Sequence, residues 1–106
     1  MKAELMFSPK SLEDMDNITE YISGYLHNPA AAKTIIDGIL GKLESLQSFP
    51  EIGSKLMLSG NIFSGYRWVS YKNYIAFYHL EKNTVYVDRV LNSQQNYLKI
   101  LFQDNS

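Results

Sequence analysis

Residues 86–102, YVDRVLNSQQNYLKILF, change their pattern of apolar residues halfway along and so decide how the fold ends. The first part has the alternation and the β-branched residues of a half-buried strand, yet it contains Arg89 among valines. The last part has apolar residues spaced as on one side of a helix. The stretch predicts a strand followed by a terminal helix. It also raises the question of whether Arg89 binds a substrate or holds the fold together.

More strands are predicted just before this stretch. Residues 66–71 alternate between two sides, and residues 74–80, YIAFYHL, are rich in the aromatic and β-branched side chains that strands favour. Short polar turns separate these segments. Residues 66–91 are therefore predicted to form a three-stranded antiparallel meander, and a further short strand is predicted around residues 55–58.

The first half of the chain has helical periodicity. Ser8-Pro9 and Asn28-Pro29 each place a capping side chain directly before a proline, which is a common way for a helix to begin. After each pair, apolar residues recur every three or four positions, so a helical hairpin is predicted to follow a short strand at residues 2–7. The acidic residues of the first helix, Asp14 among them, are expected on its solvated face.

Together these elements predict an α+β fold in a single domain, residues 1–106. The expected order is an N-terminal strand, a helical hairpin, the three-stranded antiparallel meander and a short C-terminal helix. The hairpin is expected to cover one face of the sheet. The other face would then be available to a ligand or to another macromolecule.

Composition excludes several kinds of site. The chain has no cysteine, and its two histidines are too few and too far apart to predict a metal site. The formal net charge of −1 argues against a broad nucleic-acid-binding surface, and no glycine-rich phosphate loop is present, so no cofactor is predicted. No signal peptide or long apolar stretch appears, which favours a cytoplasmic protein with no membrane partner.

Two arginines, Arg67 and Arg89, lie inside predicted strands. One interpretation is that their guanidinium groups bind phosphate or stabilise an anionic transition state. The alternative is a structural role, either in an ion pair with a residue such as Asp88, Glu4 or Glu81 or packed over aromatic rings. The pattern favours a structural tie for Arg89 and a surface role for Arg67.

The side of the sheet that each arginine occupies depends on strict alternation. Alternation places Arg67 on the side of Val69, and it places Arg89 on the side of Val87 and Leu91. A β-bulge in either strand would reverse the assignment.

His79 and the many tyrosines also have two interpretations. His79 could act as a general base, but a lone histidine in an aromatic strand is more typical of a packed, hydrogen-bonded residue. The tyrosines could stack on bases, although aromatic residues on strands more often stabilise the sheet through pairs across strands.

The whole chain resembles the RelE/ParE superfamily of toxins from bacterial type II toxin–antitoxin systems. The segments that carry the resemblance are LQSFPEIGSKL, residues 46–56, and GYRWVSYKNYIAFYHLEKNTVYVDRVLNSQQNY, residues 65–97. The resemblance implies a toxin that limits growth, with a role in plasmid stabilisation, and that a cognate antitoxin holds inactive. We expect this antitoxin on the sheet edge and the terminal helix, at Leu98, Leu101 and Phe102.

The superfamily divides by activity, and the resemblance is closer to ParE-like members, which bind DNA gyrase, than to RelE-like members, which cleave mRNA on the ribosome. RelE-like enzymes tend to carry an arginine where this chain has Ile75, and their basic C-terminal segment is neutral here. If the chain is nevertheless an endoribonuclease, the candidate catalytic residues are Arg67, Arg89 and Tyr97. A third alternative is a binding module that has lost toxicity.

Overall fold

The structure, a computed structural model, describes residues 2–103, and this part of the chain contains five strands and three α-helices. A π-helical turn, Tyr21–Tyr25, continues the first helix. The elements in chain order are β1 (Glu4–Phe7), α1 (Pro9–Glu20), α2 (Pro29–Ser45), β2 (Ser54–Leu58), β3 (Ile62–Tyr71), β4 (Tyr74–Glu81), β5 (Thr84–Asn92) and α3 (Tyr97–Gln103).

All five strands form a single sheet with the order β1-β5-β4-β3-β2. β1 pairs with β5 in parallel, and every other neighbouring pair is antiparallel. The α+β prediction is confirmed, including the hairpin and the short terminal helix. The short strand predicted around residues 55–58 is present as β2, and it pairs with β3 as a fourth antiparallel strand. The meander is therefore longer than expected, and β3 begins earlier, at Ile62.

Both predicted helix starts are present. The backbone N–H of Ser11 donates to Ser8 Oγ at 3.0 Å, and the backbone N–H of Ala31 donates to Asn28 Oδ1 at 3.1 Å. Each cap satisfies a donor that the first turn of a helix leaves without a partner. Within residues 2–103, no helix is both long and apolar enough to span a lipid bilayer.

The two long helices pack on one side of the sheet, which we call the helix face. Their apolar residues form the main core with side chains from β1, β3, β4 and β5. The buried members include Met15, Ile18, Ile22, Ile39, Leu43, Ala76, Tyr78, Val85, Val87 and Val90. This burial of apolar surface is the dominant stabilising contribution to the fold.

The opposite side of the sheet, which we call the α3 face, has a smaller core. The terminal helix packs there, so this face is partly covered rather than wholly available as expected. Its buried residues are Leu56, Phe77 and Leu91, with Tyr66, Trp68, Ile75, Tyr97, Ile100 and Leu101 packed around them. Tyr86 and His79 lie beyond this cluster and remain partly exposed.

Candidate functional site

A β-bulge in β5 determines where Arg89 lies. Phe77 pairs with Arg89 while the next residue, Tyr78, pairs with Val87, so Asp88 is an extra residue in β5. Arg89 consequently lies opposite Phe77, whose ring belongs to the core of the α3 face. The predicted alternation was wrong in placing Arg89 with Val87, because the bulge reverses the side chains that follow it.

Arg89 forms a two-pronged ion pair with Asp14 of α1. Its Nε lies 2.8 Å from Asp14 Oδ2 and its Nη2 lies 2.9 Å from Asp14 Oδ1. The side chains are only 17% and 9% exposed, respectively. The geometry therefore supports the structural tie, although the partner is not one of the acidic residues proposed from sequence. The expectation that Asp14 is solvated was wrong.

Asp14 also replaces a strand partner at the edge of β5. β1 ends where Phe7 pairs with Val87, so, within residues 2–103, no strand pairs with the backbone of β5 beyond that point on this side. The backbone N–H of Val90 donates to Asp14 Oδ2 at 2.9 Å. One carboxylate thus satisfies a buried backbone donor and a guanidinium at once, as a buried charge requires.

Arg67 lies on the other face of the sheet. It pairs with Tyr78 in the register of β3 and β4, on the same side as Val69, as alternation predicted. Its Nη1 donates to the backbone oxygens of Glu51 at 3.1 Å and Gly53 at 3.2 Å. Arg67 therefore holds the segment between α2 and β2, so its guanidinium is occupied within the fold and not only at the surface.

Tyr78 holds the same segment from inside the core. Its hydroxyl donates to the backbone oxygen of Pro50 at 2.7 Å and accepts from the backbone N–H of Gly53 at 3.0 Å. Burial raises the pKa of Tyr78, and the N–H of Gly53 and the charge of Arg67 oppose this effect. A side chain at Gly53 would overlap the Tyr78 ring, so only glycine fits there.

The terminal helix presents its residues in two ways. The Tyr97 ring packs 5.2 Å from the Phe77 ring, centroid to centroid, and Leu101 is half-buried against the same cluster. Leu98 and Phe102 are 47% and 42% exposed. They line a groove of about 540 Å³ with Leu58, Asn96 and Lys99.

The structure does not bring the three candidate catalytic residues into one site. Arg67 is on the helix face, whereas Arg89 and Tyr97 are on the α3 face. Arg89 forms an ion pair with Asp14, and Arg67 donates hydrogen bonds to backbone oxygens. The Tyr97 ring packs against the sheet beneath α3. Any catalytic role for these residues stays a prediction.

His79 has surroundings that sequence reasoning missed. Its Nδ1 lies 2.6 Å from Asp88 Oδ2 and its Nε2 lies 2.9 Å from Glu81 Oε2. Its ring stacks on Tyr86 at 5.2 Å and meets Tyr66 edge-on at 6.3 Å. The Glu81 contact could have been found from the two-residue spacing on one strand, but the Asp88 contact depends on how β4 pairs with β5.

The two carboxylates favour the charged form of His79. Partial burial lowers the pKa of His79, but the hydrogen bonds and charges of Asp88 and Glu81 outweigh burial and leave that pKa raised. Burial raises the pKa of Asp88, and the neighbouring imidazolium opposes it. Both ring nitrogens of His79 thus lie within hydrogen-bond distance of a carboxylate oxygen.

The chain matches a known protein family over most of its length. A family model described as the ParE toxin of the type II toxin–antitoxin system parDE matches residues 5–97. The chain belongs to the ParE toxin family. This confirms the resemblance to the RelE/ParE superfamily and its closer relation to ParE-like members.

Solved structures agree with ParE membership at the level of the fold. A chain of the chromosomal ParDE system from P. aeruginosa has a TM-score of 0.71 and 17% identity, with 86% of this chain and 96% of that chain covered. A chain of the RelBE2 toxin–antitoxin complex from Mycobacterium tuberculosis has a TM-score of 0.59 and 16% identity, with 87% and 99% covered. At such identities the likeness shows the fold alone. No curated protein sequence matches significantly.

Proposed function

We propose that this ParE-family toxin inhibits growth by binding DNA gyrase in the cytoplasm and that a cognate antitoxin neutralises it. Family membership across residues 5–97 supports the class of protein. The observation that carries the mode of action is the use of both strand arginines within the fold. A toxin whose guanidinium groups are occupied internally is better suited to binding a protein than to stabilising a phosphate in a transition state.

The antitoxin is proposed to cover the terminal helix. Leu98, Leu101 and Phe102 supply an apolar strip, and the groove beside them is bordered by Leu58 at the end of the outer strand β2. An apolar strip of this kind suits an amphipathic helix or an extended segment. The two similar solved structures come from toxin–antitoxin systems, which supports a partner of this type.

The charge of the α3 face also favours a protein target over RNA. Glu81 and Asp88 flank His79 there, and Ile75 is packed in the apolar cluster beneath α3. A surface that binds RNA needs cationic groups to neutralise phosphates, whereas these carboxylates repel them. The alternative function to be tested is cleavage of mRNA, as in RelE-like toxins.

The test combines purified components with induced expression. Added to DNA gyrase, the purified chain is expected to inhibit supercoiling of relaxed plasmid in a dose-dependent manner, and induction in cells is expected to arrest growth with a DNA-damage response. Undisturbed supercoiling together with mRNA cleaved only during translation would overturn the proposal in favour of an endoribonuclease. Normal growth on induction would favour a non-toxic binding module.

A further inference from the structure

The segment between α2 and β2 presents two large apolar side chains to solvent. We call residues 48–52 the 48–52 loop. Phe49 is 63% exposed and Ile52 is 67% exposed. Among the large hydrophobic residues that the structure describes, only Tyr25 is more exposed. Exposing two such side chains forgoes about 1.5–3 kcal/mol of burial energy for each, which indicates a role in binding.

The backbone that carries these side chains is held rigidly. Tyr78 binds the loop at Pro50 from within the core, and Arg67 binds it at Glu51. The loop also closes on itself, since the N–H of Ile52 donates to the oxygen of Phe49 at 3.1 Å. An exposed apolar pair on a fixed backbone is preorganised for binding, because little conformational entropy remains to be lost.

The surroundings of the loop specify the chemistry of a partner. The loop, with Glu51 among its lining residues, borders an open groove of about 540 Å³ whose other side is formed by Leu80 and Lys82. Lys82 is exposed in the turn after β4 and makes no ion pair within residues 2–103. Its charge complements a carboxylate on the partner, next to a pocket that would receive the apolar pair.

We propose that the 48–52 loop and Lys82 form the surface by which the toxin contacts its protein target, with Phe49 and Ile52 as anchors in an apolar pocket bordered by a carboxylate. The inference rests on the proposed function and adds to it the site of target binding. The loop is bound from the helix face by Tyr78, whereas the strip proposed for the antitoxin belongs to the α3 face. The target and the antitoxin would therefore use different surfaces.

The experiment compares matched variants for growth arrest on induction and for inhibition of purified gyrase. The double variant Phe49→Ser/Ile52→Ser is expected to lose inhibitory potency about tenfold or more, as truncation of interface anchors typically does. Ile62→Ser is the control, since Ile62 is a similarly exposed apolar residue at 60% but lies at the start of β3. Its potency should stay within about twofold of the original chain.

Charge reversal tests the second part of the surface. Lys82→Glu is expected to weaken inhibition several-fold and chiefly to slow association, whereas Lys72→Glu should have little effect. The two lysines are well matched, because each is exposed in a strand turn with positive φ, 54° for Lys82 and 52° for Lys72.

The outcomes distinguish a failure of the proposed target-binding surface from a failure of the proposed function. Thermal unfolding must show that every variant folds, which is expected because the altered side chains are exposed. If the original chain arrests growth and the loop variant arrests it equally, the inference is overturned and the proposed function stands. If the original chain neither arrests growth nor inhibits gyrase, both are overturned together.

Discussion

Two regions of this toxin use a strand arginine to fix a neighbouring element, but they do so by different means. At the β5 bulge, Arg89 joins a buried carboxylate on α1. At the 48–52 loop, Arg67 joins backbone oxygens and is helped by the Tyr78 hydroxyl. The bulge region thus depends on opposite charges, whereas the loop region depends on one charge and neutral acceptors. The difference predicts that the two regions respond unequally to mutation, to salt and to pH.

The largest effect is expected from breaking the ion pair on one side. Arg89→Ala leaves the Asp14 carboxylate buried without its counter-charge and should lower the free energy of unfolding by about 3–5 kcal/mol. Chemical denaturation followed by circular dichroism would measure this change. Asp14→Ala should lower the free energy of unfolding by a similar amount, because it also removes the acceptor of the Val90 N–H.

A compensating variant separates charge from packing. Arg89→Met combined with Asp14→Leu removes both charges, so it should recover much of the stability that either single change loses. If Arg89→Ala lowers the free energy of unfolding by less than about 1 kcal/mol, Arg89 does not act as a structural tie.

The next effect is expected from the loop region. Tyr78→Phe leaves the Gly53 N–H and the Pro50 oxygen without their partner and should cost about 1–3 kcal/mol in the free energy of unfolding. The loss should be the same at low and high salt, because no charge is removed. Tyr86→Phe, which removes a hydroxyl from a half-buried ring, is the control and should change stability little. Equal losses in the two variants would contradict this account.

A smaller loss of stability is expected from Arg67→Ala. Its guanidinium is only partly buried and its acceptors can turn to water, so the free energy of unfolding should fall by about 1 kcal/mol. The more specific sign is mobility, since backbone amides of residues 51–53 should exchange hydrogen faster than in the original chain. Exchange unchanged at these amides would show that Tyr78 alone fixes the loop.

The smallest effect is expected from pH at His79. Its pKa is raised in the folded state, so the interaction with Asp88 and Glu81 stabilises the fold fully below the ordinary histidine pKa and is lost as pH rises through the folded value. The site is partly exposed, so the contribution is expected to be about 0.2–1 kcal/mol. The stability difference between the original chain and His79→Gln should therefore shrink from pH 6 to pH 8. A difference that grows over this range would contradict the assignment.

The elements and their order could be predicted from the amino-acid sequence, because they follow from local patterns. The serine-proline and asparagine-proline pairs begin helices wherever the chain places them, and alternation of apolar residues marks strands without reference to distant contacts. The face of Arg67 was predictable for the same reason. The quoted segments were also sufficient to indicate the ParE family.

The roles of the charged residues, by contrast, depend on how the helices and strands pack together. One extra residue in β5 moves Arg89 to the α3 face, and no local pattern reports a bulge. The pairing of β4 with β5 brings Asp88 to His79. Asp14 has the spacing of a solvated residue, yet α1 packs so that its carboxylate meets the unpaired edge of β5. A residue 75 positions away in sequence cannot be chosen as a partner from periodicity, because the pairing exists only once helix and strand have been brought together.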